Sequence, residues 1–281
     1  MPNHVTNKIE FYGEQKDIDK VLELIKGEDR CIDFNKIILM PKELMLPSGG
    51  DTNYAVQYAL SKKSYGERIR IKAILELTPC SFYRNYYRQI FAFHTYNNAE
   101  LKERADWFEN NLADNGKTSV FDETDYKRLG IKNFEDLGNA YINNIINHGA
   151  DTWYDWSCKN WGTKWNAYDC QLIKEDNEIT FDTAWSCPLP ILDALAKLCY
   201  EHNVSFSGRW ADEDAGQNVG IFESDCDSDE YWFSYNYIEN GSNEAYEIYT
   251  ELKGESNCIG QDEDGNWVHY DCDDCPNRDK C

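Results

Sequence analysis

Four cysteines near the end of the chain have the residue type, and part of the spacing, of a zinc site. Cys272 and Cys275 are separated by two residues, a gap that lets both sulfurs face one metal ion. Cys281 is available as a third ligand, and Cys258 or His269 as a fourth. The pattern predicts a closed, structural zinc site rather than a catalytic one. Two other interpretations stay open, namely exposed thiols on an acidic segment, and cysteines with a disulfide or redox role.

A second group combines tryptophan rings with cationic side chains. Trp161 and Trp165 flank Lys164, while Arg84 and Arg88 lie among aromatic residues earlier in the chain. Arginine beside aromatic rings suits a phosphate or a stacked base. These five residues are therefore the candidate ligand site. The alternative is that the rings are structural and the cations pair with the acid-rich remainder of the chain, with the tryptophans sealing the joint between a helical segment and a sheet.

Sequence signatures of the common enzyme classes are missing from the chain. It contains no GxSxG nucleophile motif, P-loop, GxGxxG or HExxH. Its five histidines show no mutual spacing that would suggest a site. A non-enzymatic role is therefore favoured, and no catalytic residue is assigned.

The net charge of the chain limits the classes of molecule that it is expected to bind. The net charge is −23, which disfavours direct nucleic-acid binding because phosphate contacts need clustered lysine and arginine. Binding of cations, binding of basic proteins and mimicry of a nucleic acid remain open. No run of 18 apolar residues is present, so no membrane span is expected. The first residues lack the features of a signal peptide, which predicts a cytoplasmic protein whose cysteines are reduced.

Hydrophobic periodicity predicts the elements that would position these residues. Within residues 1–45, a strand over 7–12, a helix from Asp17 to Gly27 and a strand over 31–40 give a β-α-β unit. Residues 46–150 read as a helical insertion, with helical spacing at 52–62, 98–114 and 133–148. Residues 68–77 fit either a strand or a helix.

The later part of the chain returns to strand patterns. Residues 151–253 are expected to supply strands at 167–173, 178–185, 203–210, 217–224 and 230–238, with helices after Pro188 and over 243–253. Residues 254–281 are an acidic, cysteine-rich tail. The predicted class is α+β: a ferredoxin-like split β-α-β sandwich, with an antiparallel sheet, helices on one face and a large helical insertion.

Several motifs resemble one family of uncharacterised proteins from phages, prophages and plasmids, which carry the YubB-type ferredoxin-like domain. The matching segments are MPNHVTNK (1–8), DFNKI (33–37) before Met40-Pro41, NWGTKWNA (160–167) and FDTAWS (181–186) before Pro188. The NWGTKWNA string is the most specific of them. The resemblance implies a ferredoxin-like fold and an origin in a mobile element, but no activity. The tail after about residue 254 departs from the family pattern.

These observations lead to three functional hypotheses. The first is a non-enzymatic binding or accessory protein of a phage or mobile element that binds or neutralises a host protein, such as a basic or nucleic-acid-binding one, through its acidic surface. The second is a binder of a nucleotide or another small ligand, or an enzyme acting on one, which uses the aromatic and basic residues named above. The third is a purely structural accessory protein.

Overall fold

The chain divides into two compact units. The computed structural model describes residues 3–77, 98–110, 121, 124–226, 230–254 and 259–270. One unit comprises Met1–Leu39 together with Ser157–Cys281, and we call it the sheet unit. The other comprises Met40–Trp156, and we call it the helical unit.

A six-stranded antiparallel sheet forms the centre of the sheet unit. Its strands are β1 (His4–Tyr12), β2 (Tyr168–Ile173), β3 (Glu178–Ala184), β4 (Ser205–Ala211), β5 (Gly220–Asp225) and β6 (Trp232–Tyr237). Their spatial order is β2-β3-β1-β4-β5-β6.

Helices lie between several of these strands along the sequence. Their bounds are α1 (Gln15–Ile25), α2 (Phe34–Ile37), α3 (Gly50–Ser61), α4 (Tyr65–Glu76), α5 (Asn98–Asn110), α6 (Thr124–Arg128), α7 (Phe134–His148), α8 (Trp153–Asn160), α9 (Leu189–Tyr200) and α10 (Asn243–Lys253), with a 3-10 turn at Lys42–Leu44. Within the part of the chain that the structure describes, no helix is long and apolar enough to span a membrane.

The order of the first four strands is that of a ferredoxin-like fold. With α1 after β1 and α9 between β3 and β4, the connectivity β1-α1-β2-β3-α9-β4 is the split β-α-β arrangement predicted from the sequence. β5 and β6 extend the sheet beyond β4. The long segment between α1 and β2 contains the helical unit, so the predicted fold class with a helical insertion is confirmed.

Strict alternation along β1 explains how the sheet buries one face. Val5, Ile9 and Phe11 are buried, and they pair across the sheet with buried residues of β3 and β4 in the register Ile9↔Ile179, Ile9↔Gly208 and Phe11↔Phe206. Because directly paired residues share a face, these side chains form one apolar layer. The α9 helix, which has a proline in its first turn, lies against β4, β5 and β6.

The other face of the sheet is polar in its central strands. Lys8 lies within 3.3 Å of Glu10, 2.9 Å of Glu178 and 3.2 Å of Glu251 on α10. Burial disfavours the charged ammonium of Lys8, but its hydrogen bonds with these carboxylates outweigh that cost and raise its pKa. The α10 helix therefore meets β1 and β4 from the side opposite the apolar layer.

The strand expected over residues 31–40 is not formed, and the fold uses β2 as its second strand instead. Phe34–Ile37 make a short helical turn. The Asp33 carboxylate accepts a hydrogen bond from the Asn35 N–H, and the Asn166 side-chain oxygen accepts one from the Phe34 N–H. These bonds give the backbone an alternative to a sheet ladder, which is why the apolar run did not become a strand.

The helical unit has its own core. Asn133 caps α7 by accepting a hydrogen bond from the Asp136 N–H at 2.8 Å, as a helix beginning at this residue requires. Leu137, Tyr141 and Ile145 of α7 are buried in a cluster with apolar residues of α3 and α5. Residues 68–77, whose sequence fitted either a strand or a helix, lie mostly in helix α4. Residues 111–114 of the predicted 98–114 helix lie outside the described residues.

Part of the expected tail is folded. Strands β7 (Ile259–Gln261) and β8 (Trp267–His269) form a hairpin whose turn contains Asp262 and Gly265. The Trp267 ring lies 6.3 Å from the ring of Tyr246 on α10. Ile259 joins the same buried cluster, so apolar contacts with α10 stabilise a hairpin inside an otherwise acidic segment.

Candidate functional site

The strongest candidate site lies at one end of the sheet. β1 begins at His4, which pairs with Ala184 at the end of β3, while β4 ends at Ala211 opposite Thr6. The residues just before β1, just after β3 and just after β4 therefore converge. We call the group formed by His4, Lys164, Trp165, Tyr168 and Trp185 the aromatic patch.

Lys164 lies between two tryptophan rings. Its ammonium nitrogen is 4.8 Å from the centroid of the Trp165 ring and 4.9 Å from that of the Trp185 ring. Both distances are within the range of a cation–π interaction. Trp165 is 37% exposed and Trp185 is 41% exposed, so much of each ring remains open to solvent. The patch therefore binds a cationic side chain of its own chain and keeps apolar surface available.

The backbone of Trp185 is held in an unfavourable conformation. Its φ of +74° lies in the left-handed region, which bulky residues rarely adopt. The Trp185 N–H donates to the Asn3 carbonyl at 2.9 Å, and the Asn218 amide donates to the Trp185 carbonyl at 3.3 Å. Such strain persists only where surrounding contacts enforce it, and it is frequent at functional sites. At the end of β3, this strained backbone conformation keeps the Trp185 ring exposed.

The tryptophan-rich segment is fastened to the end of β3. The Thr163 hydroxyl donates to the Ala184 carbonyl at 2.8 Å and accepts from the Ala184 N–H at 3.1 Å. Gly162 has a φ of +77°, and a Cβ there would lie 2.5 Å from Pro190. Glycine is therefore required at this turn. These contacts fix Lys164 and Trp165 beside Trp185.

A loop of carboxylates borders the patch. The Asn3 amide donates to Asp212 and Asp214, each at 3.1 Å, and the His4 N–H donates to Glu213 at 3.2 Å. Asn218, which contacts the Trp185 carbonyl, also donates to Asp212 at 2.9 Å. The same hydrogen-bond network thus positions both the exposed tryptophan and the acidic loop.

Tyr168 and His4 connect the loop to Trp165. The Tyr168 hydroxyl and His4 Nδ1 are 2.6 Å apart, and the Tyr168 ring meets the Trp165 ring edge-on at 6.3 Å. Burial, followed by the nearby carboxylate of Asp182, raises the pKa of Tyr168 to about 12. The phenol is therefore neutral at physiological pH and serves as a hydrogen-bonding group.

Lys253 of α10 is a second cation at this end of the sheet. Its ammonium donates to the His4 carbonyl at 2.8 Å, and burial lowers its pKa although Asp182, Asp212 and Glu213 act in the opposite direction. Around the patch, the described carboxylates outnumber the described lysines. The carboxylates are those of Asp169, Asp182, Asp212, Glu213 and Asp214, and the lysines are Lys164 and Lys253.

Of the predicted ligand-site residues that the structure describes, two belong to the patch and one lies in the core. Lys164 and Trp165 belong to the patch. Trp161 is only 4% exposed, its indole N–H donates to the Ile38 carbonyl at 2.9 Å, and its ring meets Phe34 edge-on at 5.8 Å. Trp161 is thus a core residue of the sheet unit. Arg84 and Arg88 lie outside the described residues.

Trp185 is the site residue that sequence reasoning missed. It stands in the FDTAWS segment, where it reads as the continuation of a strand. The available signal was a tryptophan between the end of a strand pattern and the following Ser-Cys-Pro. The left-handed backbone that exposes the ring was not readable from residue types.

The predicted zinc ligands belong to the segment after residue 254. Cys258, Cys272, Cys275 and Cys281 lie outside the described residues, so the zinc site stays a prediction. Among the residues that the structure does describe, no group of three or more His, Cys, Asp or Glu side chains is arranged to hold a metal ion.

One family model agrees with the fold of part of the sheet unit. Residues 161–255 match the family model described as a ferredoxin-like domain in Api92-like protein, so the chain contains a domain of this type. A solved structure that resembles the chain is protein Api92 from Yersinia pseudotuberculosis, of the DUF1281 family. It is 11% identical, with a TM-score of 0.37, over 86% of this chain and 99% of that chain. Comparison with curated proteins gave no match.

Proposed function

We propose that the protein is a non-catalytic binding protein that recognises a lysine- or arginine-rich segment of another protein at the aromatic patch. The observation that carries the proposal is the position of the Lys164 ammonium between the Trp165 and Trp185 rings. This geometry is what a bound lysine or arginine from a partner would need. The exposed parts of both rings offer further contact area of the same kind.

The charge around the patch supports a cationic partner. The loop Asp212–Asp214 lies beside Trp185 through the shared contacts of Asn218 and Asn3. Asp212 is buried, whereas Glu213 and Asp214 are exposed, and exposed carboxylates next to an aromatic ring favour lysine and arginine and repel acidic segments. The net charge of −23 adds a long-range field that accelerates the approach of a basic protein.

We further propose a mobile-element origin and a host partner. The support is the resemblance of the NWGTKWNA and FDTAWS segments to the YubB-type family of phages, prophages and plasmids. In that setting the partner is a basic host protein, such as a nucleic-acid-binding one, and both proteins are in the bacterial cytoplasm. The protein would bind or neutralise this partner by covering its cationic surface.

Titration with a labelled lysine-rich nonapeptide tests the proposal. Replacing Trp185 by alanine removes one face of the cation site, which is worth about 0.5–2 kcal/mol, so the Kd should rise about 2–30-fold. Trp165→Ala should act in the same direction. Binding should weaken as salt increases, because exposed charges are screened.

The chain offers a matched control for these variants. Trp107, in the helical unit, is 50% exposed and has the Arg104 guanidinium 4.5 Å from its ring centroid. Trp107→Ala therefore removes an exposed tryptophan that also contacts a cation, and it should leave peptide binding unchanged. The proposal fails if wild type does not bind the peptide at low salt, or if Trp107→Ala weakens binding as much as Trp185→Ala does.

A nucleotide or another flat anionic ligand is the second candidate. The observation that favours it is the same pair of rings with Lys164 between them, since the rings can stack on a base while the ammonium contacts a phosphate. The two candidates predict opposite effects of Lys164→Met. Removing the ammonium should weaken binding of a mononucleotide but strengthen binding of a cationic peptide, because the peptide no longer competes with Lys164.

A further inference from the structure

Two half-buried thiols line one groove at the edge of the sheet. Cys31 lies in the loop after α1, and Cys170 lies in β2, the edge strand beside β3. The β2–β3 register shifts between Tyr168 and Gln171, and Asp169 has a φ of +49°. Cys170 thus lies in a bulge, a device that changes the direction of a side chain on an edge strand.

Contacts around the two sulfurs make them chemically unequal. The Cys31 thiol donates a hydrogen bond to the sulfur of Cys170, which also accepts from the backbone N–H groups of Ile32 and Cys31. These bonds favour the thiolate and lower the pKa of Cys170, with a further contribution from the Arg30 guanidinium. The pKa of Cys31 rises, because its proton is held in that hydrogen bond and its surroundings are partly buried.

Arg30 is fixed where it can act on this pair. Its Nη1 donates to the Ala167 carbonyl at 2.9 Å, and its Nε donates to Asp29 at 2.9 Å. The guanidinium therefore links the loop that carries Cys31 to the segment leading into β2. A positive charge beside a thiolate is the usual environment of a reactive cysteine.

Small molecules have access to the pair. Cys31 and Cys170 line an open groove of about 530 Å³, together with Leu22, Leu172, Lys26 and Lys174. Cys187 and Cys199 offer a contrast within the sheet unit, since both are buried and burial raises the pKa of each thiol. Those two thiols have the surroundings of inert structural cysteines.

We propose that Cys31 and Cys170 form a redox site that hydroperoxides oxidise to a disulfide, with Cys170 as the attacking sulfur and Cys31 as the resolving one. The proposal rests on the position of both cysteines in one open groove and on the bulge that carries Cys170, and the interaction between the two thiols supports it. It is independent of the binding function proposed above.

The electron balance of the reaction is simple. With hydrogen peroxide, the Cys170 thiolate attacks one peroxide oxygen, so an S–O bond forms, the O–O bond breaks and the leaving hydroxide takes a proton to become water; an alkyl hydroperoxide would release an alcohol in place of this first water. The Cys31 sulfur then attacks the sulfur of the Cys170 sulfenic acid. An S–S bond forms, the S–O bond breaks, and the proton of Cys31 leaves with the hydroxyl as a second water. Two thiols have lost two electrons, and one hydroperoxide has been reduced.

The disulfide would change the sheet unit at a defined place. Along the sequence, Cys31 precedes the helical unit Met40–Trp156 and Cys170 follows it. The bond would join the loop after α1 covalently to the edge strand β2. Oxidation should therefore slow amide exchange in both segments and raise the melting temperature of the sheet unit.

Peptide mapping of the full chain after treatment with hydrogen peroxide tests the proposal. Trypsin releases each cysteine in its own peptide, CIDFNK (31–36) and WNAYDCQLIK (165–174). The expected result is a disulfide-linked pair of these two peptides, which separates on reduction. Before oxidation, Cys170 should react with iodoacetamide at pH 7 about tenfold faster than Cys187.

Single variants separate the roles of the two cysteines. In Cys31→Ser, peroxide should convert Cys170 to a sulfenic acid that dimedone traps, without the linked peptide. In Cys170→Ser, Cys31 should remain a thiol. Cys226→Ser removes another half-buried thiol and should leave the linked peptide unchanged. The proposal is overturned if both cysteines of the wild type stay reduced, or if Cys170 pairs with a different cysteine.

Discussion

Replacing Trp161 by alanine should destabilise the sheet unit strongly. The ring is 4% exposed and packs edge-on against Phe34. Burial of about 200 Å² of ring at about 25 cal/mol per Å² corresponds to about 5 kcal/mol, of which the remaining methyl and partial collapse recover about 1 kcal/mol. We therefore expect Trp161→Ala to lower the free energy of unfolding by about 4 kcal/mol.

Two further variants separate the ring from its N–H group. Trp161→Phe keeps an aromatic ring but loses the 2.9 Å hydrogen bond to the Ile38 carbonyl, so it should cost about 1–2 kcal/mol. Trp165→Ala removes a ring that is 37% exposed and should cost less than half as much as Trp161→Ala.

Urea unfolding followed by far-UV circular dichroism measures these differences as shifts of the midpoint at constant slope. A Trp161→Ala protein within 1 kcal/mol of wild type, or equal costs for Trp161→Ala and Trp165→Ala, would refute the assignment of one ring to the core and the other to the patch.

Two more expectations concern titration and metal content. Tyr168 has a pKa of about 12 in the folded chain against about 10 when unfolded, so its contribution to stability is complete below pH 10 and is lost as pH rises towards 12. Urea midpoints between pH 9 and 12 should fall less steeply for Tyr168→Phe than for wild type, and equal slopes would contradict the shift. For the zinc site, elemental analysis should find about one zinc per chain, and Cys272→Ser with Cys275→Ser should lower it. A zinc content far below one per wild-type chain would remove that prediction.

The elements that were predictable from the sequence are those whose signals are local. Alternation in residues 7–12 identifies β1, and Asn133 marks the start of α7 because its side chain satisfies a free N–H of the first turn. The helix over Asn243–Lys253 begins after Ser242, whose hydroxyl accepts from the Ala245 N–H. In each case the residues that decide the structure are neighbours in sequence.

The features that were not predictable depend on contacts between distant residues. Residues 31–40 have the composition of a strand, but Asn166, which is 133 positions from Asp33 and 132 from Phe34, holds both in a turn. Trp185 reads as part of β3, yet Asn3 and Asn218 hold its backbone in a left-handed conformation. No local pattern encodes either contact.

The candidate site also combines residues that the sequence identified with residues that only the fold brings together. Lys164 and Trp165 were identified because their residue types suggest cation and ring chemistry. The second ring and the acidic loop come to the patch only through the antiparallel pairing of β1 with β3 and β4. Cys31 and Cys170 likewise meet only because β2 follows the helical unit and returns to the edge of the sheet.

The affinity of Lys164→Met for the lysine-rich nonapeptide tests the central proposal most directly. In wild type, Lys164 occupies the space between the Trp165 and Trp185 rings that we assign to a cation of the partner. Calorimetric titration of both proteins at low salt should show a several-fold lower Kd for Lys164→Met, and the added mutation Trp185→Ala should abolish that gain. Weaker or unchanged peptide binding by Lys164→Met would contradict recognition of a cationic segment at this patch.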